Sequence, residues 1–210
     1  GNNGSVNLTV SGGVLPYIYL WSNAATSASL SGLAAGNYTV TVTDGCSQTA
    51  IDSAAVNQPS ALSTSISKTN ASCFGLGNGT ATVNASGGTS PYIYQWNNGQ
   101  NTPTAIGLFA GFNSVNVFDA NNCLASNSVV ITQPQQLNVT IFAGDATCQN
   151  TDANAGAAAV GGTAPYSYAW SNGDTVLTVA GLGAGAIGVT VTDLKGCTAI
   201  ASDVINTVAL

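Results

Sequence analysis

The chain has 210 residues, a formal net charge of −6, and only ten charged side chains, Lys68, Lys195 and eight Asp. Phosphate neutralisation needs clustered Lys and Arg, so two isolated lysines argue against nucleic acid as a partner. No stretch approaches the ~18 apolar residues of a spanning helix, which argues against membrane insertion.

Taken in order, the first signal is Val6, Leu8 and Val10 alternating with Asn7 and Thr9, the period-2 pattern of a half-buried strand. The run from Gly12 through Pro16 to Trp21 places Tyr17, Tyr19 and Trp21 on one face of a second strand. The segment Ser31 to Tyr38 reads as a crossing between two sheets, with Leu33 inside. Tyr38 is expected to bond back to the loop, as the corner tyrosine of immunoglobulin-like domains does. Val40 and Val42 then face inward between threonines, and Asp44 and Cys46 follow at the next turn. Gln58-Pro59 reads as a joint.

This pattern recurs. Gly87-Gly88 to Trp96 and Gly161-Gly162 to Trp170 repeat the aromatic strand, with the Trp residues 75 and 74 positions apart. Val115 and Val117, then Val189 and Val191, repeat the inward valines, and Asp119 with Cys123 and Asp193 with Cys197 repeat the turn. Gln133-Pro134 marks a second joint. The corner tyrosine does not recur, its counterparts being Asn113 and Ile187. No window carries a capped helical stripe. Short alternating strands punctuated by Gly-Gly, Asn-Gly and Asp-Gly steps predict an all-β chain. Its architecture is expected to be tandem immunoglobulin-like or fibronectin-like antiparallel sandwiches of about 75 residues. The expected repeats are 1–59, 60–134 and 135–210. The first begins just upstream of the position equivalent to Gly79, so it is expected to lack its first strand and first cysteine. A longer parent is expected upstream.

The combined motif, GG-x-x-PY-x-Y-x-W, GL-x-x-G, V-x-V-x-D, Cys and Gln-Pro, resembles the SprB-type repeat of Bacteroidota gliding adhesins and related secreted surface proteins. Val208 stands where a third joint proline would fall. The resemblance implies large extracellular proteins, export by the type IX secretion route, and roles in attachment or gliding motility.

Candidate chemistry is sparse. Without His, a general base falls to Asp or Lys, and no paired carboxylates recur, so an enzyme is not expected. The Tyr-Tyr-Trp rows are expected to be core rather than a sugar platform. Asp44, Asp119 and Asp193 stand one to a turn, which suits Asx-type capping better than calcium, a cation that wants six to eight oxygens. No metal and no cofactor are expected. Asp52-Ser53-Ala54 and Asp174-Thr175-Val176 match the short pattern that Bacteroidota modify with O-linked sugars, making Ser53 and Thr175 candidate acceptors.

Five cysteines without a CxxC pair suit disulfides in an oxidising space better than zinc. The favoured pairing joins Cys73 to Cys123 and Cys148 to Cys197 within repeats, leaving Cys46 unpaired in the chain. The alternative joins Cys73 to Cys197 across the second joint. The expected role is a stalk or spacer segment of a secreted surface adhesin or filament. Its expected partners are further copies of the repeat in the same or neighbouring chains. A carbohydrate-binding array is the rival reading, with surface polysaccharide as partner.

Overall fold

The structure, a computed structural model, describes residues 1–147 and 150–208. Among these residues there is no helix, and every element is a strand. The chain separates into two compact units, residues 1–61 and 62–210.

The first unit holds β1 (Gly4–Asn7), β2 (Ile18–Trp21), β3 (Ser29–Leu33), β4 (Gly36–Thr43) and β5 (Thr49–Val56). They form a two-stranded sheet, β1-β3, and a three-stranded sheet, β2-β4-β5, both antiparallel. Trp21, Leu30, Leu33, Val40 and Val42 fill the space between them.

The second unit repeats this plan twice, with a core for each copy. Its first half comprises β6 (Ser63–Thr69), β7 (Gly79–Ser86), β8 (Ile93–Trp96), β9 (Thr104–Leu108), β10 (Gly111–Phe118) and β11 (Leu124–Ile131). Sheets β6-β7-β9 and β8-β10-β11 enclose Ala81, Val83, Trp96, Leu108, Val115, Val117 and Ile131. The second half comprises β12 (Asn138–Ala143), β13 (Ala146–Thr147), β14 (Ala153–Val160), β15 (Tyr166–Trp170), β16 (Thr178–Leu182), β17 (Gly185–Asp193), β18 (Thr198–Ile205) and β19 (Thr207–Val208). Here β12-β14-β16 faces β15-β17-β18 across a core that includes Trp170, Val179, Val189 and Val191. The all-β, immunoglobulin-like sandwich read from the alternation is therefore the fold.

The alternation explains each core. In β10 the inward residues Asn113, Val115 and Val117 are buried while their neighbours are not, because successive side chains leave opposite faces of a strand. The β-branched valines suit that position, being stiff at χ1 and well packed on a pleated surface.

The first strand of the third repeat is split between two pairings, the second of them a separate two-stranded sheet. β12 pairs antiparallel with β14, and after a short break β13 pairs in parallel with β19. The second repeat closes in the same way, with Ala71 N–H donating to Thr132 C=O at 3.0 Å.

Candidate functional site

The three aromatic rows are internal. Trp21, Trp96 and Trp170 are 3%, 4% and 4% exposed. Each indole Nε1–H donates to a backbone carbonyl six residues on, that of Ser27, Thr102 or Val176, at 2.8–2.9 Å. A buried indole needs such a partner, and the bond ties the aromatic strand to the connection that leaves it. The first Tyr of each row is held likewise, Tyr92 and Tyr166 donating to Gly87 and Gly161 carbonyls at 2.6 Å, and Tyr17 to Gly12. The peptide bonds before Pro16, Pro91 and Pro165 are cis. With the indoles buried, the rows offer no exposed Trp face for a sugar ring to stack on.

The three aspartates act as hubs. Asp193 Oδ1 accepts from Lys195 N–H and Cys197 N–H at 2.8 and 2.9 Å, and its Oδ2 accepts from Thr163 N–H at 2.7 Å. Asp119 repeats the set with Asn121, Cys123 and Thr89 at 2.8, 2.8 and 2.9 Å. Asp44 repeats it with Cys46, Gln48 and Val14 at 2.9, 2.9 and 3.1 Å. One carboxylate thus pins its own hairpin with one oxygen and the glycine-rich loop thirty residues earlier with the other. The capping role expected for these residues is what the geometry shows. The bonds from Gln48 and then Val14 hold the Asp44 carboxyl below its ordinary range, and the bond from Cys123 leads the same effect at Asp119. At Asp193 desolvation opposes, but the donors from Cys197, Thr163 and Lys195 prevail and the pKa is lowered.

Glycine is required where the carboxylate approaches. Gly88 and Gly162 both have φ +59°, and a Cβ at either would stand 2.7 Å from Oδ2 of Asp119 or Asp193. The repeated Gly-Gly therefore reflects a close approach as well as a turn.

The cysteines depart from the favoured expectation. Cys73 is bonded to Cys197, with Cα atoms 5.7 Å apart, so the bridge crosses from the second repeat into the third. The within-repeat pairs Cys73–Cys123 and Cys148–Cys197 are replaced. Strand polarity gives the reason. Gly79 pairs with Leu108, and the chain then turns into the start of β10, so Cys73 lies at the Gly111 end of that strand. Cys123 follows the other end, eight residues or about 25 Å away at ~3.3 Å per residue. A bridge tolerates about 7 Å between Cα atoms. Cys46 and Cys123 are free and exposed, and Cys148 lies outside the described residues. Cys46 is also two residues out of step with Cys123 and Cys197. Gln48 holds the fourth place after its Asp, where the other two turns have Cys.

The joint between the second and third repeats is pinned on both sides, which the sequence reading did not find. Gln133 Oε1 accepts from Gly75 N–H at 2.8 Å, tying the joint to the loop that carries Cys73. Gln135 C=O accepts from Gly162 N–H at 2.9 Å, tying it to the third repeat. A Gln-Pro pair followed by two further Gln was the only visible signal.

Of the remaining candidates, Ser53 lies exposed on β5 and Thr175 lies exposed between β15 and β16. Tyr38 donates to Ala34 C=O at 3.0 Å, completing the corner in the first repeat. Its counterparts serve differently. Asn113 is buried and bonds Gly111 C=O at 3.1 Å, and Ile187 joins the core.

Comparison with known proteins agrees with the repeat reading. The family model described as the SprB repeat matches residues 1–26, 65–101 and 140–175. No curated protein matches. Solved structures that resemble the chain include the N-terminal eight Ig domains of Down syndrome cell adhesion molecule isoform 1.30.30. That likeness has 12% identity and a TM-score of 0.42, with coverage of 100% of this chain and 34% of that one. The amphioxus IgVJ-C2 molecule follows at 13% identity and a TM-score of 0.28, covering 57% of this chain and 90% of that one. The complex of Dpr2 Ig1-Ig2 with DIP-Theta Ig1-Ig3 gives 11% and 0.30, covering 92% and 90%. The chain spans about a third of the length of the eight-domain structure. All three scores lie below 0.5, and the fold assignment rests on the strand order and register given above. The motif recurs at each aromatic strand and the SprB-repeat model matches there, so these three segments are similar to SprB-type repeats.

Proposed function

We propose that this chain is a load-carrying stalk segment of a large secreted surface adhesin or extracellular filament, with no enzymatic role. The observation that carries the reading is the Cys73–Cys197 bond across a repeat boundary. Tension entering the second unit near Leu62 and leaving near its end passes through Cys73, the bridge and Cys197. The residues between them, including the Gln133–Leu137 joint, stay off the load path. The pins from Gln133 and Gln135 support the same reading, since they restrict bending at that joint before any load is applied. An extracellular, oxidising location fits a chain that depends on such a bond. Attachment or gliding motility, and type IX export, are the roles that the repeat family suggests. Further copies of the repeat, in the same or neighbouring chains, are the proposed partners. Ser53 and Thr175 are the proposed acceptors of O-linked sugar, to be tested by mass measurement of native material.

The deciding experiment is single-molecule pulling of the full chain by its ends, with and without reductant. The bridge sequesters 124 residues, or roughly 40–45 nm of contour at ~3.3–3.6 Å per residue. Reduction is expected to release that length. Equal extension in both conditions would sink the load-path reading.

A further inference from the structure

The turn that follows each buried Trp is built the same way three times. The backbone C=O of Trp21, Trp96 and Trp170 accepts from the N–H three residues on, that of Ala24, Gly99 or Gly173, at 2.8, 3.0 and 3.0 Å. The residue before each of these donors is an exposed asparagine, Asn23, Asn98 or Asn172. Its Oδ1 accepts from the backbone N–H two residues on, at 3.2, 3.1 and 3.1 Å. Such an Asx turn folds the carboxamide back over the peptide that follows it. The N–H on Oδ1 also polarises the side-chain carbonyl, and would stabilise the charge that this oxygen takes up if a nucleophile added at Cγ.

A methyl group separates the copies. Gly99 and Gly173 have φ +85° and +94° with open space where a Cβ would stand. Ala24 holds the same left-handed conformation, φ +65°, but carries its Cβ. The backbone nitrogen after Asn98 and Asn172 is therefore unshielded, and the one after Asn23 is not.

We propose that Asn98 and Asn172 are sites of spontaneous succinimide formation, through which the chain deamidates as it ages. The Gly99 or Gly173 nitrogen, released from the Trp carbonyl as the turn opens, bonds to Cγ and gives its proton to water. The side-chain nitrogen takes up a proton and leaves as ammonia. Water then opens the ring, giving aspartate where the new bond breaks and isoaspartate where the original peptide bond breaks.

The dipeptide alone does not select these sites. Asn78-Gly79 has the same sequence, but Ser72 N–H donates to Asn78 Oδ1 at 3.0 Å and Asn78 Nδ2 donates to Ser72 Oγ at 2.9 Å. Gly79 is buried in β7 opposite Leu108, with Ile131 filling the space beside its Cα. Asn3-Gly4 enters β1 at the equivalent place, with Gly4 opposite Leu33.

The products change charge and bonding. Each conversion adds one negative charge, so the two together take the formal net charge from −6 to −8. At Asn172 a donor is also lost, since Nδ2 bonds Asp174 Oδ2 at 2.8 Å. Two carboxylates then meet in a turn whose Asp174 C=O accepts from Trp170 N–H at 2.9 Å. The chemistry is independent of the load path through the disulfide.

The test incubates the full chain in warm, mildly alkaline buffer and follows each asparagine by peptide mass mapping, with isoaspartate scored by enzymatic methyl transfer. Asn98 and Asn172 are expected to convert on the order of tenfold faster than Asn23 and Asn78, as alignment and access of the attacking nitrogen dictate. Ala24→Gly, which also relieves a left-handed alanine, is expected to raise Asn23 to the rate of Asn98. Absence of conversion at Asn98 and Asn172 overturns the proposal. So does conversion of Asn78 as fast as Asn98, which would leave the turn without a role, or an unchanged Asn23 rate in Ala24→Gly.

Discussion

Cys73 and Cys197 lie 124 residues apart in sequence and 5.7 Å apart at Cα, and their bond holds the loop after one repeat's first strand against the last hairpin of the next repeat. In the simple chain-entropy model, closing a loop of that length removes about 5 kcal/mol of unfolded-state freedom. The double variant Cys73→Ser, Cys197→Ser is therefore expected to lower the unfolding free energy of the second unit by as much as that, leaving the first unit's transition in place. Denaturant titration with probes in each unit checks it. An unchanged midpoint for the second unit would show that the bond adds no stability.

Cys123 occupies in the second repeat the hairpin place that Cys197 occupies in the third, but its thiol is free. Desolvation pushes that thiol up, and the charge of Asp119 adds to the rise. Thiolate is the reactive form, so alkylation of Cys123 near neutral pH is expected to be slower than that of an unperturbed thiol. Replacing Asp119 by Asn is expected to accelerate it. Peptide mapping after timed iodoacetamide exposure gives both rates, and an unaltered rate in Asp119→Asn would remove the carboxylate as a cause.

The aspartate hubs predict acid sensitivity. Asp44, Asp119 and Asp193 all have folded-state pKa values lowered by backbone donors, Asp193 despite opposing desolvation. A lowered folded-state pKa contributes stability that is full above the ordinary carboxylate range and is lost as pH falls from that range through the lowered folded value. Thermal midpoints are expected to hold steady through neutral pH and fall below about pH 4. In Asp193→Asn, the amide turns a donor toward a backbone N–H, so the variant is expected to be less stable at pH 7 and to show a flatter acid profile. An identical acid slope in wild type and variant would contradict the linkage.

These hubs and rows were legible because their geometry is local. Tyr, Tyr and Trp at a spacing of two must share a face, and V-x-V must alternate inward, whatever the topology. Asp with a turn after it caps that turn. The disulfide partner was not legible in the same way. Equal spacing shows that Cys73 precedes a strand and that Cys123 follows one, but strand polarity decides which pole each occupies. The pins from Gln133 and Gln135 were hidden for a related reason, since a Gln beside a Pro looks alike in a floppy linker and a clamped one.

Two glycines separate backbone strain from close approach. Gly99 has φ +85° and open space where a Cβ would go, while Gly88 has φ +59° and Asp119 Oδ2 at 2.7 Å. Gly99→Ala is expected to cost the conformational penalty alone, about 1–2 kcal/mol. Gly88→Ala is expected to cost more, because the carboxylate must also withdraw from Thr89 N–H. Equilibrium unfolding of the two variants ranks them, and an equal loss would mean that the hub yields freely.

Trp96 distinguishes a core role from a binding role. Its ring is 4% exposed and its Nε1–H is committed to Thr102 C=O at 2.9 Å, so neither face nor edge is free. Trp96→Ala is expected to cost about 3–5 kcal/mol, as emptying a large aromatic site usually does. Trp96→Phe keeps much of the volume but leaves the Thr102 carbonyl without its donor, and is expected to cost less, about 1–3 kcal/mol. Calorimetry gives both values. A polysaccharide titration on the Phe variant supplies the contrast, because a sugar platform would lose affinity while keeping its stability. Lost affinity without lost stability would reverse the assignment of the aromatic row from core to surface.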